Sequence, residues 1–358
     1  MKITRRTFLA LTAVQATALT LGVSAYAQAP APEITLDMTM KEVEQHPLIQ
    51  ATRFHVDYLG ETRYQREEWE QKTLREYLGR KEDQIIVDTL NLFLENYKAG
   101  IQVTYPLYTR EEIAQVPTRD TAMLYYFPPK EAGGKYALVV DGNAVISTSE
   151  LCEGLSTAWE LQQKGYAVFV LRYRSWEQAG DNAPLEDLTR AVAYITDHAQ
   201  ELGVRPEDYA LISYSSGGQI AGLFATEKYG CAQYGLPKPG AVFMAYPVLD
   251  LSLVAPVYHI VMDPMEFGWR YYWSNVADDV TDDYPPVYLW YGLDDQVLKT
   301  LGMKKQAPVM AQALAEHRVP YIYHVYQHAP HARGISLGTD AEGWLDEAVG
   351  FWEEQTAE

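Results

Sequence analysis

From residue 101 onward, short apolar runs alternate with stretches whose apolar positions recur every three to four residues. KYALVVDG, YAVFVLRYR, YALISYS, GAVFMAYPV, PPVYLWYG and PYIYHVYQ are apolar or aromatic through most of their length. Strands of that kind are covered on both faces, as in a parallel sheet sandwiched by helices. Between most of them lie TSELCEGLSTAWELQQKG, PLEDLTRAVAYITDHAQELG, SGGQIAGLFATEKYG and QAPVMAQALAEHR, which read as helices. Two earlier runs, IQVTYPLYT and TAMLYYFPP, predict an antiparallel pair. The whole predicts an α/β fold with a mostly parallel central sheet of about eight strands flanked by helices.

Residues 39–100 have a different texture. Thr39 with Glu42 forms a capping-box pattern at a helix start. In EDQIIVDTLNLFLENYKAG, Ile85, Ile86, Leu90, Phe93 and Leu94 share one helical face, and Gly100 closes the helix. This predicts a helical N-terminal extension over 39–100, ahead of an α/β domain over 101–358. The apolar stripe demands a partner surface that the sequence does not name. A longer connection after GAVFMAYPV contains VYHIVMDPMEFGWRYYWSN, and predicts a short aromatic cap at about 250–284. Its candidate substrate-binding residues are Phe267, Trp269, Tyr271, Tyr272 and Trp273.

The first residues follow neither pattern. Basic Lys2, Arg5 and Arg6 precede an apolar run, and Ala25-Tyr26-Ala27 offers small residues for cleavage. Residues 1–27 therefore read as an export signal, twin-arginine-like in Arg5-Arg6-Thr7-Phe8-Leu9, with a spacer over 28–38. An exported, periplasmic or extracellular protein without stable membrane insertion after signal removal is expected. The formal charge of −19, from 48 acids against 29 bases, argues against nucleic acid and anionic membrane as partners. Cys152 and Cys231 stand in no Cys-His metal spacing, so no metal or other cofactor is expected. Export permits them to pair, and folding before export does not require it.

Candidate chemistry sits in YALISYSSGGQIAGL. A nucleophile elbow places a serine on a sharp strand-to-helix turn, with small residues two positions before and after it. Ser215 has Ser213 and Gly217 there; Ser216 would have Tyr214, and Ser213 would have Leu211. Ser215 alone fits, with serine in place of the usual first glycine. The helix that follows aims its N-terminus at this serine, so the amide of Ser216 is a candidate oxyanion donor. A serine nucleophile needs a base and an orienting acid, which in this topology follow in the order acid, histidine. Leu293-Asp294-Asp295-Gln296 follows one late strand and His328-Ala329-Pro330-His331 the next. Asp294, Asp295 and the more distant Asp250 are candidate acids; His328 and His331 are candidate bases.

VFVLRYR, PLEDLTRAVAYI, SYSSGGQIA, PPVYLWYGLDDQV and APHARGISLG together resemble an α/β-hydrolase of the bacterial esterase type that includes acetylxylan and feruloyl esterases. The resemblance runs over about 101–355 and includes the order and spacing of the blocks. It implies an α/β-hydrolase fold and a serine esterase acting on small-molecule or carbohydrate esters. It assigns the acid to Asp295, three residues after Gly292, and the base to His331, after a Gly-Pro-like pair. The family loop after the third strand is His-Gly-Gly-Gly or Pro-Gly-Gly-Gly. Here it reads Val140-Asp141-Gly142-Asn143-Ala144-Val145, leaving the amide of Asn143 or Ala144 as second oxyanion donor. An amidase or peptidase would use the same triad, and a non-catalytic binding protein could retain the fold.

Overall fold

The sheet grows from strands too apolar to show either face to water. In the computed structural model, which describes residues 31–56, 63–142, 148–175, 178–250, 274–300 and 305–357, eight strands form one sheet. They are β1 (Thr104–Pro106), β2 (Met123–Phe127), β3 (Tyr136–Val140), β4 (Ala167–Arg172), β5 (Ala210–Tyr214), β6 (Ala241–Ala245), β7 (Val287–Gly292) and β8 (Tyr321–Tyr326). Their order is β1-β2-β4-β3-β5-β6-β7-β8. β1 and β2 run antiparallel to their neighbours, and β3 to β8 are parallel. Every residue of β3, β5, β6 and β7 is buried, whereas edge strand β8 is half-exposed along both faces.

This order has a functional consequence. From β3 the chain moves outward to β4, then returns to the other side of β3 as β5. The connections therefore diverge between β3 and β5, and a crevice opens at their C-terminal ends. Gly142 and Ser215 lie just beyond those ends.

The N-terminal helices pack on the sheet itself. In the helix Asp83–Lys98, Ile86, Leu90, Phe93 and Leu94 are buried as the stripe requires, while Ile85 is half-buried and Val87 joins the core. Phe93 meets Phe54, Tyr125 and Phe127 at centroid distances of 5.5, 5.9 and 5.5 Å. Part of the expected spacer belongs to the packed core: Ile34 and Leu36 are buried, and Ile34 exchanges two hydrogen bonds with the Asn91 side chain. The reason is the anchor at Asn91, since a buried asparagine amide needs a hydrogen-bond partner. Residues 33–358 form one compact unit. The Thr39–Glu42 capping box is present, and Thr73–Glu76 and Thr109–Glu112 repeat it at two further helix starts.

A buried ion pair fixes the loop after β4. Arg174 grips Asp187 through its backbone N–H at 2.8 Å and its guanidinium at 2.7 Å, and the Tyr108 hydroxyl adds a 2.6 Å bond to the same carboxylate. Cys152 and Cys231 are both buried and unpaired. Among the described residues, no helix is long and apolar enough to cross a membrane. Residues 1–27 and 251–273 of the expected cap lie outside the described residues.

Phe93→Ala is expected to lower unfolding free energy by about 3–5 kcal/mol. Urea denaturation of the whole chain checks this. A loss below about 1 kcal/mol would mean that the helix Asp83–Lys98 does not share the sheet's core.

Candidate active site

The turn between β5 and the helix Gly217–Ala225 is sharp enough to force a serine into the left-handed region. Ser215 has φ of 47°, a conformation that costs a residue with a Cβ. Three backbone bonds hold it: Ser215 N–H to Ala245 O at 3.1 Å, and its carbonyl accepting from Val248 N–H at 2.7 Å and Gly218 N–H at 3.0 Å. The neighbours are small for measurable reasons. A Cβ on Gly217 would lie 2.3 Å from the Val140 carbonyl oxygen. At position 213 a serine is accommodated because its hydroxyl donates to Phe243 O at 2.9 Å within the sheet. The missing first glycine is thus replaced by a satisfied polar group.

Three loops bring the predicted residues together. Ser215 Oγ lies 2.8 Å from His331 Nε2, and His331 Nδ1 lies 2.6 Å from Asp295 Oδ2. Asp295 is completely buried, and its other oxygen accepts the Leu298 N–H at 2.8 Å. That acceptor role fixes the carboxylate against rotation. Gly292 permits the close approach of the histidine loop, since a Cβ there would fall 1.7 Å from the Ala329 carbonyl oxygen. The alternative pair is elsewhere: His328 Nδ1 meets Asp294 Oδ2 at 2.9 Å on the exposed surface. Asp250 is held through its backbone by Gln306. Ser216 opens the helix in right-handed geometry, φ −65°. Asn143, Ala144, Phe267, Trp269, Tyr271, Tyr272 and Trp273 lie outside the described residues.

Comparison with known proteins bears on the fold that carries these residues. Residues 124–235 match the family model BD-FAE. Endo-1,4-beta-xylanase B of Butyrivibrio fibrisolvens is 23% identical over 205 residues, 54% of this chain and 31% of that protein. An acetylxylan esterase of Xylanibacter ruminicola is 25% identical over 132 residues, 37% of this chain and 26% of that protein. The chain thus spans about a third or less of either relative's length. The crystal structure of an acetyl ester-xyloside bifunctional hydrolase from Caldicellulosiruptor lactoaceticus superposes with a TM-score of 0.57 at 20% identity, covering 70% of this chain and 95% of that one. The chain has the α/β-hydrolase fold.

Behind Ser215 lies a buried acidic group of three: Asp141, Glu150 and Glu153. Neither carboxyl oxygen of Asp141 has a hydrogen-bond partner among the described residues. Burial, then the charges of Glu150 and Glu153, push its carboxyl well above the usual range. Glu153 is better provided: Oε2 accepts the Gly142 N–H at 2.7 Å and Oε1 the Tyr246 hydroxyl at 2.9 Å. Burial raises its carboxyl, opposed by those two bonds and by the charges of His331 and Arg80. Neither Glu153 nor Tyr246 stands out in the sequence, because one reads as a helix-surface acid and the other as a strand-end core aromatic. No group of His, Cys, Asp and Glu among the described residues is arranged to hold a metal ion.

Two glycines on helices test the steric reading. Gly217→Ala is expected to destabilise by about 1–3 kcal/mol. Gly350→Ala, with open space around it in the helix Trp344–Gln355, is expected to stabilise by about 0.4–1 kcal/mol. Equal effects in thermal denaturation would contradict it. For Asp141 the sign follows from its raised folded-state pKa. The native state binds its proton more tightly than the unfolded chain, so this stabilisation is full below about pH 4 and is lost as pH rises through the folded value. Asp141→Asn is therefore expected to gain on the parent as pH rises from about 5 to about 8, read by urea midpoints. A constant difference would contradict a protonated Asp141.

Proposed function

We propose that this chain is an exported serine hydrolase of carboxylic esters. The observation that carries the reading is the unbroken series Asp295, His331, Ser215, with successive separations of 2.6 and 2.8 Å. Ser215 Oγ attacks the acyl carbonyl while His331 Nε2 takes its proton. Asp295 keeps the other ring nitrogen protonated and stabilises the imidazolium. The tetrahedral adduct collapses, the C–O bond to the alcohol breaks, and His331 gives the proton to the leaving oxygen. Water, deprotonated by the same histidine, then cleaves the acyl-enzyme. The amide of Ser216 and an amide of Asn143 or Ala144 are assigned to the oxyanion, each worth about 3–4 kcal/mol.

The substrate class follows by similarity. Relatives named for xylan and acetyl esters favour small acyl groups on carbohydrate alcohols. The aromatic run Phe267, Trp269, Tyr272 and Trp273 suits a sugar or aromatic ring. The basic, apolar and small-residue sequence of 1–27 supports export, which would place the enzyme where such polymers are met.

The test is release of p-nitrophenol from acetyl, butyryl and octanoyl esters, beside the matched acetyl anilide. Turnover fastest on the acetyl ester and slower on the anilide is expected, with Ser215→Ala lower by at least about a thousandfold. Asp295→Asn is expected to lose about 10³–10⁴ in kcat. Folded protein that cleaves only the anilide would make the chain an amidase, and one that cleaves neither would make it non-catalytic.

A further inference from the structure

Gly142, Tyr246 and Gly334 belong to three different loops, after β3, β6 and β8, yet they are wired to one side chain. Glu153 sits in the π-helical turn Glu150–Gly154 and is buried to 1% exposure. Its Oε2 takes the Gly142 N–H, and its Oε1 takes the Tyr246 hydroxyl. The same Tyr246 oxygen accepts the Gly334 N–H at 3.0 Å. Each of these loops touches the reacting side chains. A Cβ on Gly142 would come within 2.7 Å of Ser215 Cβ. The Tyr246 ring lies 4.9 Å from the His331 ring, and Gly334 follows His331 by three residues.

Tyr246 reaches this position under strain. Its φ is 39°, unfavourable for a bulky residue, and its N–H is tied to Trp290 O at 2.8 Å. Strain of that kind persists where surroundings over-determine it, and it gathers at functional sites. Gly334 is fixed from its other side as well, its carbonyl accepting the Trp344 indole N–H at 3.1 Å. The N-terminal region closes the back of the network: the Arg80 guanidinium acts electrostatically on both Glu153 and Tyr246. Lys81 lies so close over Gly338 that a Cβ there would meet its side chain at 2.1 Å.

We propose that Glu153, acting through Tyr246 and Gly142, is a positioning residue that locks the histidine loop and the oxyanion-side loop into one geometry around Ser215. This rests on reading the site as an ester hydrolase. Glu153 touches neither substrate nor the reacting atoms. Its work is to make two loops share a buried acceptor, so that one cannot shift without leaving a polar group unsatisfied.

The experiment uses the full chain with Tyr246→Phe, Glu153→Gln and the double variant, each checked for folding by circular dichroism. Amide exchange is followed at Gly142 and Gly334 and kinetics on p-nitrophenyl acetate. Tyr246→Phe removes the acceptor of the Gly334 N–H and should speed its exchange about tenfold while leaving Gly142 protected. Glu153→Gln should also speed Gly334, which it does not touch. Either single should lower kcat about tenfold with KM within about twofold, and the double should fall no lower than the weaker single. Wild-type kcat and Gly334 exchange in the folded singles, or fully additive kcat losses, overturn the proposal. A parent that cleaves no ester, with variants that still show coupled exchange, rejects the hydrolase reading and upholds the link between loops.

Discussion

Everything at this site depends on one backbone turn. Ser215 is held at positive φ by three backbone hydrogen bonds, two to the end of β6 and its following loop and one from the helix start, and the turn closes only because residue 217 has no side chain. The sheet order supplies the rest. Divergence of the chain on either side of β3 opens a crevice at the carboxyl ends of β3 and β5, and the turn projects the serine into it. β7 and β8 deliver Asp295 and His331 to the same edge from further along the sheet. A strained turn of this kind is stable only on a rigid base, here a sheet whose inner strands are wholly buried.

The site also sorts its carboxyl groups by their partners. Asp295, Glu153 and Asp141 are all buried, but they are satisfied to different degrees. Asp295 meets an imidazole and a backbone amide. Glu153 meets a backbone amide and a tyrosine hydroxyl, with Arg80 as distant counter-charge. Among the described residues Asp141 meets no donor, and burial pushes its carboxyl well above the usual range. Acids close enough to repel one another cannot all ionise in a dry pocket, and hydrogen-bond supply decides which of them does.

Much of this was legible in the residues because it depends on local chemistry. Apolar runs and helical stripes disclosed the eight strands and their main helices, and the small residues flanking Ser215 singled it out among three serines. The order of Ser215, Asp295 and His331 was visible, but the choice against Asp294 and His328 came from resemblance; the structure puts that second pair on the surface, 2.9 Å apart. What stayed hidden was long-range. The stripe around Phe93 named no partner, and the answer is Tyr125 and Phe127 of β2. Glu153 lies in a helical stretch where an acid ordinarily faces water, and only the fold reveals that Gly142 and Tyr246 converge on it. Ile34 and Leu36 looked like spacer because Asn91, their anchor's partner, is distant in the chain.

The most direct test of the central claim is the mass of the folded protein after reaction with a fluorophosphonate, followed by peptide mapping of the adduct. The account predicts one adduct per chain, on Ser215, with loss of one fluoride as the Oγ–P bond forms. No adduct, or an adduct on Ser213 or Ser216 instead, would contradict the assignment of Ser215 as a histidine-activated nucleophile.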